Sequence, residues 1–489
     1  MNTLEILQYH EILNQIATLA HFSLSKQALM DLKPSNSKLW IIRENNRVTQ
    51  AMDLDRLYGD LPMAGITDIS LALIEAKKDM ILSFEDLVSV SRFGFGVLSI
   101  QSYFKNVDLK MDAIEDLSSG LSINVDLSKR IERCFSPSLE ILDDASSQLK
   151  SIRRQLRLKI ADREAKVQHY IHTHSNALSE NISTLRNDRV VILAKNSDKN
   201  TLGGIIHAQS ASGLSAYVEP PILIELNNQV ASLYEQEQEE IKRICFELSQ
   251  AIKPHADVYL ATLESLVILD GLFAKAKYGN QHQGICVSLD DSKSIRLINS
   301  RHPLIDPKTV VSNSYHLSHP KSMVLITGPN TGGKTVSLKV IGLSCLMAYS
   351  GIPVLATEAS VPLFDQIFVD IGDDQSIFAS LSTFSAHLSK LSHMLKSSTQ
   401  DSLVLLDELG GGTDPSEGES LAIAILEYLR EKHILSFVTT HYSALKNYAL
   451  DHEDVLMASV QFDLEALKPT YRYIEGLPGQ SYALEIAKR

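Results

Sequence analysis

The chain reads Met323-Val324-Leu325-Ile326-Thr327-Gly328-Pro329-Asn330-Thr331-Gly332-Gly333-Lys334-Thr335, a short apolar run that passes directly into a glycine-rich loop. The loop fits the pattern G-x-x-x-x-G-K-[ST], and a helical pattern follows it as far as Tyr349. Glycines let backbone N–H groups turn inward around phosphate oxygens, and a helix N-terminus adds partial positive charge. Lys334 supplies a full charge to the β and γ phosphates, and the Thr335 hydroxyl can ligate Mg²⁺. We therefore predict that ATP is bound by Gly328, Pro329, Asn330, Thr331, Gly332, Gly333, Lys334 and Thr335.

Two carboxylates end a second apolar run, Leu403-Val404-Leu405-Leu406-Asp407-Glu408. At the end of a strand, Asp407 is placed to join the Mg²⁺ shell, and Glu408 is placed to polarise the attacking water. Alone such a run is a weak signal, but downstream of the glycine loop it is a strong one. We predict Asp407 as a metal ligand, together with Thr335, and Glu408 as the catalytic base.

His441 follows a third predicted strand, Phe437-Val438-Thr439-Thr440. A lone histidine is usually structural, but its place after a third strand favours a catalytic contact with the γ phosphate. Strands and helices alternate from about residue 281, which indicates an α/β domain with a mainly parallel sheet. Because such sheets bind ligands at their carboxyl edge, the three strand ends should lie together.

The chain before residue 281 has a different pattern. Residues 1–130 are mostly helical in pattern and carry no functional signal. A long helix with a narrow apolar stripe is predicted from Leu142 to Leu185 and a second from Ile222 to Ile252, which suggests an antiparallel coiled-coil arm. Between them, glycines and short β-type runs from Arg189 to Val218 predict a small β element. We predict a helical core or lever at 1–140, a clamp arm with return helices at 141–280 and an ATPase domain at 281–489.

The first long helix carries a basic segment with Lys150, Arg153, Arg154, Arg157, Lys159, Arg163 and Lys166. One interpretation is contact with a nucleic-acid backbone, which needs positive charge but no base readout. The alternative is a solvated helix face, balanced by Glu235, Glu237, Glu239 and Glu240 on the second helix. Three histidines lie nearby, at His169, His172 and His174, but a metal site would need further ligands in a fixed geometry.

The bulk composition is that of an ordinary soluble protein, with 44% hydrophobic and 21% charged residues. The net charge of −13 argues against a nucleic-acid binder that uses its whole surface, although a local basic stripe remains compatible with it. No apolar run is long enough for a membrane span, and the N-terminus shows no export signal. The four scattered cysteines fit a reducing compartment, so we predict a cytoplasmic protein.

Taken together, the motifs resemble the ATPase domain of the MutS mismatch-repair family, one of the ABC-like ATPases. Within that family the similarity is to the second bacterial branch, MutS-two, and it covers essentially the whole chain. The stretches that carry it are Arg186–Arg189 through Gln209–Gly213, Arg301–Leu304, Gly328–Lys339, Ile371–Ile377, Ser380–His387, Asp407–Pro415 and Thr439–Tyr442.

The resemblance implies an α/β ABC-like P-loop ATPase domain preceded by a mainly α-helical lever and clamp. It also implies a homodimer with two nucleotides at the subunit interface. Ser382 of one subunit would cap the γ phosphate held by Lys334 of the other, and Asp414 would lie across that interface. Asn330 and Arg301-His302-Pro303 look like further members of the nucleotide pocket. Residues 1–280 would encircle nucleic acid and report its presence to the ATP site.

Two departures from the family pattern matter. The chain begins with the helical region, so the mismatch-reading and connector domains of mismatch-repair members are missing and mismatch recognition is not expected. At the other end, Leu484 to Arg489 stops inside a helical pattern with no cap. Relatives continue there into a linker and an Smr nuclease domain. We therefore expect a fragment without nuclease chemistry.

Three functions remain open at this level. The first is an ATP-driven clamp on branched or double-stranded DNA that suppresses homologous recombination. The second is a sensor and splitter of stalled or collided ribosomes that binds rRNA. The third, a transporter or chromosome-structuring ABC ATPase, predicts a Leu-Ser-Gly-Gly-type signature, and Ser382-Thr383-Phe384 in that place disfavours it.

Overall fold

The computed structural model describes residues 2–210, 213–329, 332–372, 381–411, 414–463 and 468–476, with the side chains of 381–387 left out. The chain forms two compact units. The first comprises Met1–Pro62, Ser102–Gly120 and Glu264–Arg489, and the second comprises Met63–Gln101 and Leu121–Leu263. Of the helices in the described ranges, none combines the length and the apolarity needed to cross a membrane.

In chain order the α-helices are α1 Thr3–Ile6, α2 Tyr9–Leu19, α3 Ser23–Met30, α4 Lys38–Tyr58, α5 Ser70–Lys77, α6 Phe84–Lys105, α7 Glu115–Ser119, α8 Val125–Glu132, α9 Ser147–Thr173, α10 Pro221–Ile252, α11 Ala256–Gln281, α12 Lys334–Tyr349, α13 Leu381–Ser397, α14 Pro415–Glu431 and α15 Ser443–Leu450. The strands are β1 Leu178–Arg186, β2 Arg189–Lys195, β3 Ile205–Gln209, β4 Ser215–Glu219, β5 Ser288–Leu289, β6 Ile295–Ser300, β7 Asn313–Leu317, β8 Met323–Thr327, β9 Glu358–Val361, β10 Ile367–Asp370, β11 Leu403–Leu406, β12 Leu435–Thr440, β13 Val455–Asp463 and β14 Lys468–Glu475.

A six-stranded sheet forms the centre of the first unit, in the order β10-β11-β12-β8-β13-β14. The first five strands are parallel, and β14 pairs with β13 in the antiparallel direction. The mainly parallel sheet predicted from the strand–helix alternation is therefore present, and β8 and β11 have the predicted limits. The first unit is a mixed α/β structure.

Both faces of this sheet are covered, which explains why its inner strands β8 and β11 are mainly apolar and buried along their whole length. In β8, Val324 and Ile326 belong to one hydrophobic cluster, which also contains residues of α2 and α12. Met323 and Leu325 belong to a second cluster, which contains residues of α14 and α15. Because successive side chains of a strand point to opposite faces, a strand between two helical layers has no polar face.

A smaller four-stranded sheet accompanies the first, in the order β5-β9-β6-β7. Its strand β7 pairs with β6, and β6 pairs with β9, all in the antiparallel direction. Ile295, Leu297, Tyr315 and Leu317 of this sheet belong to the same hydrophobic cluster as Val324 and Ile326. The two sheets therefore share one core.

In the second unit, α9 and α10 pack side by side in opposite directions. Ser146 bonds to Glu240, Arg153 to Glu237, and Arg163 to Asn227, so the partner number falls as the chain number rises. The chain between these two helices forms a four-stranded antiparallel sheet in the order β1-β2-β4-β3. The β element expected between Arg189 and Val218 is present.

The helix predicted from Leu142 to Leu185 was wrong at its C-terminal end. The α-helix stops at Thr173, and Leu178–Arg186 forms β1, paired with β2. Leu178, Ile182 and Leu185 are spaced as on a helix, but no periodicity reveals the partner strand. Pairing with β2 supplies hydrogen-bond partners along one edge of β1, and Leu178 is buried in the core of the sheet. This tertiary context outweighs the local pattern.

A buried carboxylate connects the β1-β2-β4-β3 sheet to α10. Glu219 has no exposed side-chain surface and accepts hydrogen bonds from Arg189, His207 and Asn227. Burial opposes ionisation of Glu219, but these hydrogen bonds outweigh it and lower its pKa to about 2. The network therefore needs the charged carboxylate.

We expect Glu219→Gln to destabilise the β1-β2-β4-β3 sheet. The glutamine side chain would place an N–H donor where Arg189, His207 and Asn227 already donate hydrogen bonds. Breaking a buried pair of this kind costs about 3 kcal/mol or more. Since the folded pKa lies below the unfolded one, the wild-type advantage is present above pH 4.5 and is lost as the pH falls toward 2. Amide hydrogen exchange of β2 and β4, with wild type and variant compared at pH 7 and pH 3, measures this. An equal difference at both pH values would contradict it.

Candidate nucleotide site

Three neighbouring strands of the six-stranded sheet end at the same edge. In the ladder, Thr440 at the end of β12 lies opposite Thr327 at the end of β8. Val438 of β12 lies opposite Leu406, the last residue of β11. The loops that follow these strands contain the glycine-rich segment, Asp407 with Glu408, and His441. The parallel sheet thus brings the three predicted segments to one edge.

Glycine is required in the loop after β8 for two physical reasons. The backbone of Gly328 has a φ of 130° and that of Gly333 a φ of 99°, both in the left-handed region that glycine favours. A Cβ atom added at Gly328 would stand 2.7 Å from Cγ2 of Val460, and one at Gly332 would stand 2.6 Å from the same atom. Asn330 and Thr331, which we predicted to contact ATP, lie outside the described residues.

Lys334 is the first residue of α12 and is only 1% exposed. Burial lowers the pKa of Lys334, the charges of Glu408 and Asp407 act in the opposite direction, and Lys446 lowers it further. A charged lysine in such a place is costly to desolvate unless an opposite charge or a hydrogen-bond partner lies close to it.

Thr335 and Asp407 are in direct contact, although 72 residues separate them in the chain. The Thr335 hydroxyl donates to Oδ2 of Asp407 at 2.6 Å. The other oxygen, Oδ1, accepts from the hydroxyl of Thr439 at 2.5 Å. The two predicted metal ligands are therefore brought together, and the carboxylate between them is oriented from both sides.

Mg²⁺ prefers oxygen ligands and is commonly held by one or two protein side chains together with substrate phosphates and water. The Thr335 hydroxyl and the Asp407 carboxylate, 2.6 Å apart beside a buried lysine, are a donor set of this kind. The residues present therefore fit the ion.

Glu408 follows with a backbone φ of 49°, which is uncommon for a residue other than glycine. Its N–H donates to the Thr439 hydroxyl at 2.8 Å, and its carbonyl accepts from the N–H of Gly411 at 3.0 Å. Thr439 thereby orients both carboxylate residues, a role that the sequence analysis missed. The motif Thr439-Thr440-His441-Tyr442 was noticed only as part of the resemblance.

The next turn is packed too closely for side chains. A Cβ at Gly410 would stand 2.5 Å from the carbonyl oxygen of Gly418, and one at Gly418 would stand 2.3 Å from the carbonyl oxygen of Gly410. The Tyr442 hydroxyl donates to the same Gly410 carbonyl at 3.0 Å. These contacts fix the loop after Glu408 against the start of α14.

His441 lies between β12 and α15 with an exposed side chain, and its ring centroid is 4.4 Å from that of Tyr442. Asp414 is the N-cap of α14, where its carboxylate accepts from the N–H of Ser416 at 2.9 Å. The hydrogen bond from the Ser416 hydroxyl, together with the one from its N–H, lowers the pKa of Asp414. Ser382 belongs to α13, but its side chain lies outside the described part of the structure.

A cavity of about 350 Å³ opens beside the glycine loop. It reaches Gly333 and is lined by apolar side chains from three parts of the chain, including Ile305, Val310, Val336 and Tyr471. His302, predicted as a member of the nucleotide pocket, also lines it, and burial lowers the pKa of His302 to about 4. Arg301 instead donates to the carbonyl of His282. An apolar cavity next to a phosphate loop suits the base of a nucleotide.

Tyr471 was not identified from the sequence as a site residue. It lies in β14, 138 residues after Gly333, and no motif marks it. Only the pairing of β14 with β13, and of β13 with β8, brings it to the cavity.

Most cations of the basic segment on α9 are already paired within the second unit. Arg153 bonds to Asp143 and Glu237, Arg157 to Asp143, and Lys150 to Asp144. Arg163 is buried against Asn227, and Lys166 pairs with Asp162. Among the described residues, none forms an ion pair with Arg154 or Lys159. The contacts favour the solvated-face interpretation for most of this segment.

The three histidines at the C-terminal end of α9 form no further candidate site among the described residues. His169, His172 and His174 are exposed. Within the described ranges, no group of three or more His, Cys, Asp or Glu residues is arranged to hold a metal ion.

Comparison with known proteins adds two findings. Residues 324–489 match the family description "MutS domain V". Over its whole length the chain is similar to proteins named "Endonuclease MutS2". It is 40% identical over 490 residues to that of Clostridium novyi (strain NT), covering 100% of this chain and 62% of the relative. It is 39% identical over 492 residues to that of Geobacillus sp. (strain WCH70), covering 99% and 63%.

A third relative, "Putative endonuclease MutS2" of Bacillus subtilis (strain 168), is 38% identical over 492 residues, covering 99% of this chain and 63% of the relative. The chain thus spans less than two thirds of the length of these relatives.

Proposed function

Since this chain belongs to the MutS family, as the resemblance of its motifs predicted, we propose that it is a dimeric ATPase that closes as a clamp on nucleic acid without recognising mismatches. The observation that carries the proposal is the contact between Thr335 and Asp407 beside the buried Lys334. The endonuclease activity in the relatives' names is said of those proteins and is not part of the proposal.

In the proposed reaction, ATP and water give ADP and phosphate. The glycine loop from Gly328 to Thr335 wraps the phosphates with its backbone N–H groups, and Lys334 neutralises their charge. Thr335 and Asp407 would hold Mg²⁺, and the ion would supply positive charge to the phosphate oxygens. Glu408 accepts a proton from the attacking water, and His441 contacts the γ phosphate. The Thr439 hydroxyl holds the Asp407 carboxylate and the backbone of Glu408 in position.

The base of the nucleotide occupies the cavity beside Gly333. Its walls are mostly aliphatic and aromatic side chains, which suits the flat face of a purine. His302 lies at this cavity, and its lowered pKa keeps the imidazole neutral at pH 7.

We propose that two copies of the chain complete each other's sites. Ser382 of one copy would cap the γ phosphate held by Lys334 of the other, and Asp414 would lie across the interface. Asp414 also caps its own helix α14, so a change there affects the geometry of the loop as well as any contact with a second copy. Sedimentation with and without a non-hydrolysable ATP analogue tests dimer formation. A chain that stays monomeric with analogue bound would contradict this part.

The proposed nucleic-acid partner is branched or double-stranded DNA, whose clamping would suppress homologous recombination in the cytoplasm. The alternative, splitting of stalled ribosomes through rRNA contact, needs the same ATPase. Steady-state ATP hydrolysis measured with junction DNA and with ribosomes separates them. Stimulation by DNA supports the proposal, whereas stimulation by ribosomes alone would replace DNA with rRNA as the partner.

The ion pairs of α9 refine the prediction for the basic segment. We expect Arg154→Glu with Lys159→Glu to weaken DNA binding and to reduce the slope of log K against log salt by about 2, because each lost phosphate contact removes about 0.9. Lys78→Glu, at the C-cap of α5 in the same unit, is the control, with one charge reversed on a different element. Arg153→Glu instead breaks internal pairs, so its main effect is on stability. An unchanged slope in the double variant would assign these side chains to a solvated face.

A further inference from the structure

The side chain of Asn313 joins the two sheets of the first unit. Asn313 is the first residue of β7 in the four-stranded sheet. Its Nδ2 donates to the carbonyl of Tyr471 at 2.9 Å, and its Oδ1 accepts from the N–H of Tyr473 at 2.9 Å. Both partners lie in β14 of the six-stranded sheet. The amide therefore bonds to the edge strand β14 as a neighbouring backbone would.

Tyr471 has a backbone conformation that needs such support. Its φ is 58°, in the left-handed region that is unfavourable for a large side chain. It stands at an irregularity of the β13–β14 ladder, where Val460 pairs with Tyr473 but Phe462 pairs with Pro469. A strained residue of this kind persists only when its surroundings hold it, and the bond from Asn313 to its carbonyl is such a contact.

The conformation places the Tyr471 ring beside the glycine loop. A Cβ atom added at Gly333 would stand 3.3 Å from Cδ1 of Tyr471. Tyr471 is 49% exposed and lines the cavity next to the loop, as do Asn313 and Gly333. A half-exposed aromatic ring at the mouth of an apolar cavity offers a face on which a nucleotide base can stack.

We propose that Asn313 is a positioning residue for nucleotide binding: its two hydrogen bonds hold the Tyr471 backbone so that the ring forms one wall of the base cavity. Asn313 acts through Tyr471 on the base and not on the phosphates. The inference rests on the proposed ATPase function.

The test compares ATP with inorganic tripolyphosphate, which has the phosphates but no base. Asn313→Ala should weaken ATP binding about five- to tenfold, as expected for the loss of two hydrogen bonds that position a contact, and leave tripolyphosphate binding unchanged. Asn313→Asp keeps the acceptor for Tyr473 but removes the donor to Tyr471. Its added negative charge repels both anionic ligands, so its loss should be larger for ATP than for tripolyphosphate. Asn299→Ala, on the neighbouring strand β6, is the matched control and should bind both ligands as wild type does.

A double-variant comparison separates positioning from general stability. In a Tyr471→Ala background, Asn313→Ala should cause no further loss of ATP affinity, because the wall that it supports is already gone. Additive losses, or an equal loss for ATP and tripolyphosphate, would overturn the inference alone. A wild-type protein that binds neither ligand would overturn the proposed function and, with it, this inference.

Discussion

Lys334→Ala should lose ATP binding by about 100-fold or more, because it removes the full positive charge from a site where water cannot replace it. A buried charge that pairs with an anion contributes several kcal/mol when its partner is present, and each 1.4 kcal/mol is a factor of ten. Lys334 is 1% exposed, and burial lowers its pKa, so water contributes little to the solvation of its charge. Titration calorimetry with ATP and Mg²⁺ measures the effect.

Lys321→Ala is the matched control for this variant. Lys321 precedes the opposite end of the same strand, β8, and bonds to the carbonyls of Glu453 and Val455. It carries the same charge but lies away from the carboxyl edge of the sheet. If Lys334→Ala and Lys321→Ala bound ATP equally well, the glycine loop would not be the nucleotide site.

Glu408→Ala should differ from Lys334→Ala: it should still bind ATP but should no longer hydrolyse it at a significant rate. Removing a general base costs about 10²- to 10⁴-fold in rate. The backbone of Glu408 is held by Thr439 and Gly411 through its N–H and carbonyl, so the loop does not depend on the carboxylate for these bonds. With ATP bound and not hydrolysed, the variant should accumulate as a closed dimer. Single-turnover hydrolysis and sedimentation with ATP measure the two parts.

Glu408→Gln is the companion variant, since glutamine keeps the size of the side chain and removes only its basicity. Both variants should bind ATP as tightly as wild type, and both should fail to hydrolyse it. Wild-type turnover in either variant would show that another group activates the water and that Glu408 is not the general base.

The sequence was sufficient to predict the strands that position the site. In β8 and β11 every residue is buried, so an unbroken apolar run marks each strand, and the motif residues follow immediately. The contact of Thr335 with Asp407 follows from that topology, because parallel strands end at one edge. The helical pattern from Ile222 to Ile252 likewise agrees with α10, which begins at Pro221.

The features that the sequence did not reveal depend on contacts between distant segments. Residues 178–186 have helical spacing, yet they form β1 because β2 supplies a partner. The basic segment of α9 gives no sign that Asp143 and Asp144, just before the helix, neutralise three of its cations. Tyr471 reaches the base cavity only through the order of the strands, and Asn313 only through a bond between two sheets. Periodicity and motifs carry no information on such pairs.

The most direct measurement is an experimental structure of the protein with Mg²⁺ and a non-hydrolysable ATP analogue. We predict that the triphosphate lies within hydrogen-bonding reach of Lys334 and the loop N–H groups. The metal should lie about 2.1 Å from the Thr335 hydroxyl oxygen and be held by Asp407 directly or through water. The base should lie in the cavity against Tyr471. A triphosphate bound elsewhere, or a metal that neither Thr335 nor Asp407 approaches, would contradict it.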